Sequence, residues 1–245
     1  VTVTHHPRAS LAAGSFDGGR IREVKPLGFP GETAPVLRLG PLFYWAWAEA
    51  SETAFIDEHP HQSFEIVTYV LAGRVEHRDS LGTVRSLDAG GAQLMLTGSG
   101  VWHSERILAA PASLLQIWFE PDRKRAVKQP PRYLAADSTA LPRRGELVTV
   151  FGKDSPLAGE APAALYDLTL QAGEQLCRPL APGEALGALT IDGTPRFDET
   201  ATESGSFIVA TDCDEVRITG PGRIVFVELP LTPGYALYHK ARPKL

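Results

Sequence analysis

Short apolar runs recur along this chain, rich in β-branched and aromatic residues and cut by Gly, Pro, Asp or Ser. The strongest are 65–71 (EIVTYVL), 93–96, 113–119 (SLLQIWF), 164–170, 207–210 and 223–229 (RIVFVEL). Runs of this length with turn residues between them predict β-strands closed into a sandwich or barrel. Helical periodicity is weak, with candidates only around Arg123–Val127 and in the tail from Pro233 to Lys240. With 23 Gly and 20 Pro in 245 residues, long helices are hard to place, so the pattern predicts an all-β protein.

The pattern also divides the chain. Residues 120–145 (EPDRKRAVKQPPRYLAADSTALPRRG) are polar, basic and Pro-rich, and read as a connection between two β units. The expected organisation is a first unit over residues 1–122, a linker over 123–145 and a second unit over 146–245. A faint repeat supports it. VLAGR (70–74) leads through a polar hairpin to Gly90 and the strand around Met95. TIDGT (190–194) leads through another polar stretch to Gly205 and the strand at Phe207.

Charge narrows the function classes. Twenty-four Lys and Arg against 29 Asp and Glu leave a net charge of −5, without the basic stripe that a polyanion partner needs. A direct nucleic-acid partner is therefore not expected. No apolar run approaches the roughly 20 residues of a bilayer-crossing helix. The first nineteen residues lack the apolar core of a secretory leader, so a cytoplasmic location is the expectation. Two cysteines, Cys177 and Cys213, are too few for a disulfide scaffold and read as buried small apolar residues.

The candidate chemistry lies in the histidines. His59-Pro60-His61 places two imidazoles at i and i+2, and His103-Ser104-Glu105 does the same for an imidazole and a carboxylate about forty residues further on. In extended chain such pairs face one way. Two pairs on neighbouring strands can converge on one divalent transition ion, Fe(II), Mn, Ni, Cu or Zn, with open positions left over.

These residues resemble a known family. HPHQSFEIVTYVLAGRVEHRDSLG from His59, followed by LMLTGSGVWHSE, is similar to the signature of the pirin family in the cupin superfamily, densely so over about residues 59–119. The resemblance implies a bicupin: two tandem jelly-roll barrels, with one metal ion, usually iron, in the N-terminal barrel. It puts the ligands on His59, His61, His103 and Glu105. The family's usual Arg-Gly after the H-P-H is Gln62-Ser63 here. The activity implied is that of a quercetin 2,3-dioxygenase-like oxidoreductase, which cleaves flavonols with O2. A small aromatic, flavonoid-like substrate would bind the metal, and Glu105 would serve as ligand and catalytic base. The alternative is a non-catalytic, iron-binding, redox-sensitive regulator that acts through a protein partner.

The repeat then limits the second unit. His59 lies fourteen residues before Gly73, and the same offset from Gly193 falls on Pro179. His103 lies thirteen residues after Gly90, and the same offset from Gly205 falls on Ile218. No histidine occurs between His103 and His239, so the C-terminal cupin is expected to be metal-free. Glu65 is expected beside the ligands, where a carboxylate can orient an imidazole. His77 reads as a solvated hairpin residue, Trp102 and Trp118 as core, with lining of the pocket the alternative for Trp102 beside a ligand, and Arg123-Lys124-Arg125 as a solvated face. His5, His6 and His239 are assigned no role.

Overall fold

A computed structural model describes residues 2–238. The first half carries β1 (Thr2–His6), β2 (Ala12–Phe16), β3 (Ile21–Leu27), β4 (Leu42–Ala50), β5 (Ala54–His61), β6 (Glu65–Asp79), β7 (Val84–Asp88), β8 (Ala92–Leu96) and β9 (Val101–Phe119). A one-turn helix α1 (Arg123–Ala126) and strands β10 (Arg132–Ala136) and β11 (Arg143–Arg144) follow. The second half carries β12 (Leu147–Phe151), β13 (Ala164–Leu170), β14 (Gln175–Pro179), β15 (Glu184–Gly193) and β16 (Arg196–Phe197). It ends with β17 (Thr200–Ala201), β18 (Phe207–Thr211), β19 (Glu215–Thr219) and β20 (Gly222–Pro230). The six strongest apolar runs all lie in strands, so the all-β expectation holds.

Two long strands build the first barrel. The first part of β6 and the last of β9 pair with β8 and β4, whereas Arg74–Arg78 and Val101–Ile107 pair with β7 and β5. The corner between these parts is at Gly73, whose φ is +77°. A Cβ there would sit 2.5 Å from the Ala109 carbonyl oxygen, so only glycine lets the strands turn so tightly. The second half repeats the plan with shorter pieces, β14-β19-β16-β17 standing for β5-β9-β6-β7. Gly193 has φ +79°, and Gly90 and Gly205 have +82° and +86°. The repeat read from the glycines is therefore a repeat of one β-barrel plan in the two halves.

Each barrel also takes a strand from outside its own run of sequence. β1 pairs β18 of the second barrel, and β10 pairs β8 of the first. The large sheets of the two halves pack face to face, with Phe119 stacked on Phe151 at 4.8 Å and Trp45 edge-on to Phe207 at 5.4 Å. This shared core explains why β4, β6 and β8 are apolar on both faces. Leu115, Ile117 and Phe119 face the other half. Leu114 and Trp118 face the lumen of the first barrel.

Several expectations are corrected here. The tail is not helical over Pro233–Tyr238, because Gly234 takes φ +85° and the Tyr235 hydroxyl ties the chain to the Glu120 carbonyl. Residues 239 and 240, with His239, lie outside the described residues. The helix at Arg123 does form, with Asp122 capping the Lys124 N–H. Its Arg123 is half-buried over the rings of Phe64 and Tyr238 rather than solvated. Cys177 is exposed and Cys213 partly so, since β14 and the loop before β19 lie on the outer sheet.

Candidate metal centre

The three histidines converge at one end of the first barrel. β5 pairs β9 with His59 opposite His103, and a register shift between Ile56 and His59 precedes the H-P-H. The ring centroids lie 4.4 to 4.9 Å apart, and one ligand nitrogen from each ring lies within 4.8 Å of the others. His103 is fully buried, and among the described residues neither of its ring nitrogens finds a hydrogen-bond partner. A buried polar atom without a partner costs about 1–3 kcal/mol, so the arrangement makes sense when a cation takes the lone pair. The His59 Nδ1 lies 2.7 Å from the Asp57 carbonyl oxygen. Because a carbonyl only accepts, Nδ1 carries the hydrogen and Nε2 is left free to ligate.

Electrostatics favour the ligating form. Burial, helped by the neighbouring imidazoles His59, His61 and His77, brings His103 down to about 2. Burial and His59 bring His61 down to about 3. Both rings are then neutral at pH 7, with lone pairs available. The donor set of clustered imidazoles suits a divalent transition ion.

Glu105 lies on the same cavity but outside the tight histidine cluster. Its Oε2 accepts the Gln116 amide N–H at 2.9 Å, and its Oε1 accepts the Thr68 hydroxyl at 3.4 Å. Burial pushes its carboxyl up, against the pull of His77, His59 and these two hydrogen bonds. The cavity holds about 470 Å³ and is walled by Phe29, Tyr44, Phe55 and Trp118. Phe29 stacks on Tyr44 at 4.6 Å, and Trp118 lies edge-on to His61 at 4.6 Å. Trp118 is thus buried as expected, and it also lines the site.

Three neighbours differ from the sequence reading. His77 is not a solvated hairpin residue: it is 1% exposed, because β6 runs on to Asp79 and turns this position inward. Its Nε2 is 2.8 Å from Asp79, and its ring lies between those of His103 and Tyr133. Trp102 is not core but 50% exposed, pointing outward from the strand position next to His103. Glu65 bonds no imidazole. Its carboxylate accepts the backbone N–H groups of Glu160 and Ala161 and ties the two halves together.

In the second barrel, Pro179 and Ile218 stand on β14 and β19, the counterparts of β5 and β9. By strand register Ile218 pairs with Phe197 as Glu105 pairs with His77, so Ile218 stands in the place of Glu105 and Val216, two residues before it, in the place of His103; both are fully buried in an apolar cluster.

A family model described as Pirin matches residues 44–119. A provisionally named quercetin 2,3-dioxygenase of Pseudomonas aeruginosa is 30% identical over 185 residues, which is 74% of this chain and 78% of that protein. The chain belongs to the pirin family. The quercetin 2,3-dioxygenase of Escherichia coli is 28% identical over 180 residues, 70% of this chain and 75% of that protein. The structure of the bacterial pirin YhhW from Escherichia coli, in complex with nickel(II), superposes with a TM-score of 0.81 at 21% identity. The match covers 94% of this pirin-family chain and 99% of that one. Such a likeness bears on the fold and agrees with two tandem cupin barrels.

Proposed function

We propose that the chain is a metal-dependent dioxygenase that cleaves flavonols such as quercetin with O2, with Fe(II) held by His59, His61, His103 and Glu105. The observation that carries the reading is the cluster of three imidazoles opening into a cavity walled by aromatic rings. The relatives' names support the substrate class. When bound, the ion would supply Lewis acidity toward the flavonol's 3-hydroxyl oxygen and an electron route to O2.

The chain's own residues have three tasks. Phe29, Tyr44 and Trp118 offer flat apolar faces that orient planar rings and exclude water. His59, kept in one tautomer by Asp57, and His61, packed against Trp118, fix the direction of approach. Glu105 accepts the hydroxyl proton on Oε1, the oxygen with the longer and weaker of its two hydrogen bonds.

The test is aerobic incubation of Fe(II)-loaded protein with quercetin. Loss of flavonol absorbance with release of carbon monoxide, absent in His103→Ala, is expected. Metal-replete protein that leaves the flavonol untouched overturns the proposal.

A further inference from the structure

The lumen of the first barrel holds a polar layer that the dioxygenase reading does not use. Gln93, Thr68 and Gln116 lie side by side on β8, β6 and β9: Thr68 pairs with Gln93 on one flank and with Gln116 on the other. Thr68 and Gln93 are each 1% exposed. Above and below them the lumen is apolar, with Ile66, Met95 and Trp118 on one side and Val70, Leu87 and Leu114 on the other.

Hydrogen bonds run through this layer in one direction. The Tyr133 hydroxyl donates to Gln93 Oε1 at 2.9 Å, and Gln93 Nε2 donates to Thr68 Oγ1 at 3.2 Å. Thr68 donates to Glu105 Oε1 at 3.4 Å. From the other flank, Trp118 Nε1 donates to Gln116 Oε1 at 3.3 Å, and Gln116 Nε2 donates to Glu105 Oε2 at 2.9 Å. Each donor sets the next. A hydroxyl on Gln93 Oε1 orients the amide so that its N–H faces Thr68, which leaves the Thr68 hydrogen for the carboxylate. Tyr133 also stacks on the His77 ring at 4.5 Å, and His77 lies 5.3 Å from His103.

The second barrel provides the control. The repeat offsets that map Gly73 on Gly193 and Gly90 on Gly205 map Thr68 on Ala188 and Gln93 on Ile208. The strand partner of Ala188 on β20 is Phe226, in the place of Gln116. All three are fully buried in an apolar cluster. A polar layer thus exists in the barrel with the clustered histidines, and the barrel without them packs apolar residues there.

From this we infer that Tyr133, Gln93 and Thr68 are positioning residues for the metal centre. They fix the orientation and hydrogen-bond state of Glu105, and Tyr133 carries this influence from β10, in the segment that joins the two halves. The inference rests on the reading that Glu105 serves the ion. Without the Tyr133 hydroxyl, the Gln93 amide is free to turn its oxygen to Thr68 and draw that hydrogen away from Glu105.

The experiment loads metal-free protein with Cu(II) as a spectroscopic probe and measures affinity and the electron paramagnetic resonance spectrum. The proteins compared are wild type, Tyr133→Phe, Thr68→Val, their double variant, Glu105→Gln and Tyr133→Phe/Glu105→Gln. Tyr133→Phe keeps the ring stack and so keeps the fold. Partners that orient ligands are worth about 10- to 100-fold in affinity, and the two single variants are expected near the low end of that range. They should share one altered spectrum, the double variant should be no worse than either, and Tyr133→Phe should add nothing to Glu105→Gln. If Glu105→Gln alters the spectrum while Tyr133→Phe and Thr68→Val leave it as in wild type, the positioning inference is overturned. If Glu105→Gln itself binds and reads as wild type, the reading of Glu105 beneath it fails instead.

Discussion

Lys25 gives the sharpest test of how the cavity wall is held. Its ammonium is buried between Glu23, at 2.9 Å, and Glu32, and the side chains of Lys25 and Glu23 are 4% and 5% exposed. Glu23 in turn accepts the hydroxyl of Tyr44, which walls the cavity. At an effective dielectric constant near 20, unit charges 2.9 Å apart attract by about 6 kcal/mol, and most of this offsets the loss of hydration. Lys25→Met removes the cation and leaves Glu23 buried without it, at a cost of about 3–5 kcal/mol. For a chain of this size that lowers Tm by about 6 to 20 °C. Removing both charges in Glu23→Gln/Lys25→Met should recover most of the loss, because no uncompensated carboxylate then remains. Burial pulls the Lys25 pKa down, but hydrogen bonds to Glu32 and Glu23 and their charges hold it above the ordinary lysine value. While Glu23 and Glu32 are ionised, its contribution is therefore complete below that ordinary value, and it fades in more alkaline solution as the folded lysine deprotonates. Thermal and urea denaturation followed by tryptophan fluorescence read all three proteins. A Lys25→Met variant as stable as wild type, or a double variant no better than the single, would refute the reasoning.

Glu65 should make stability pH-dependent: burial pushes it up to about 7, against the backbone N–H groups of Glu160 and Ala161. The folded protein then holds a proton that the unfolded chain releases near 4.5, so stability falls as pH rises from about 4.5 to 7 and is level above. Urea titrations at pH 5 and pH 8 should show this slope in wild type, reduced by on the order of 2 kcal/mol in Glu65→Gln; an equal slope in both contradicts it. Ser63 is buried at φ +66°, a conformation that favours glycine, so Ser63→Gly is expected to add about 1 kcal/mol and raise Tm by a few degrees. A lower Tm would show that the serine side chain supplies more than the backbone costs. Phe29→Ala removes a ring stacked on Tyr44 and edge-on to Trp118, and KM for the flavonol should rise about 2- to 10-fold with kcat nearly unchanged. Steady-state kinetics showing a fall in kcat alone would contradict this role.

The barrel repeat was legible because its corners need glycine, and glycine at Gly73, Gly90, Gly193 and Gly205 leaves a mark in the sequence. The histidine cluster was legible because period-two spacing on paired strands forces i and i+2 together. His77 was not, since EHRDS looks like a hairpin tip unless the length of β6 is known. Once β6 reaches Asp79, the same alternation that buries Val75 also buries His77. Tyr133 was missed for a topological reason. The polar, Pro-rich composition around it reads as a connection, and only tertiary pairing with β8 brings it onto Gln93 and His77. Thr68, Gln93 and Gln116 did leave a signal: single polar residues inside apolar strand runs whose repeat counterparts include Ala188 and Ile208. Comparing the two halves position by position would have found them.

The most direct test of the metal centre is an anaerobic titration of metal-free protein with Fe(II), and in parallel with Ni(II), followed by calorimetry. One ion should bind per chain in wild type, with binding lost in His103→Ala, whose ring is buried with both nitrogens unpartnered among the described residues. Stoichiometric binding that survives unchanged in His103→Ala, or no binding by wild type, would contradict the account.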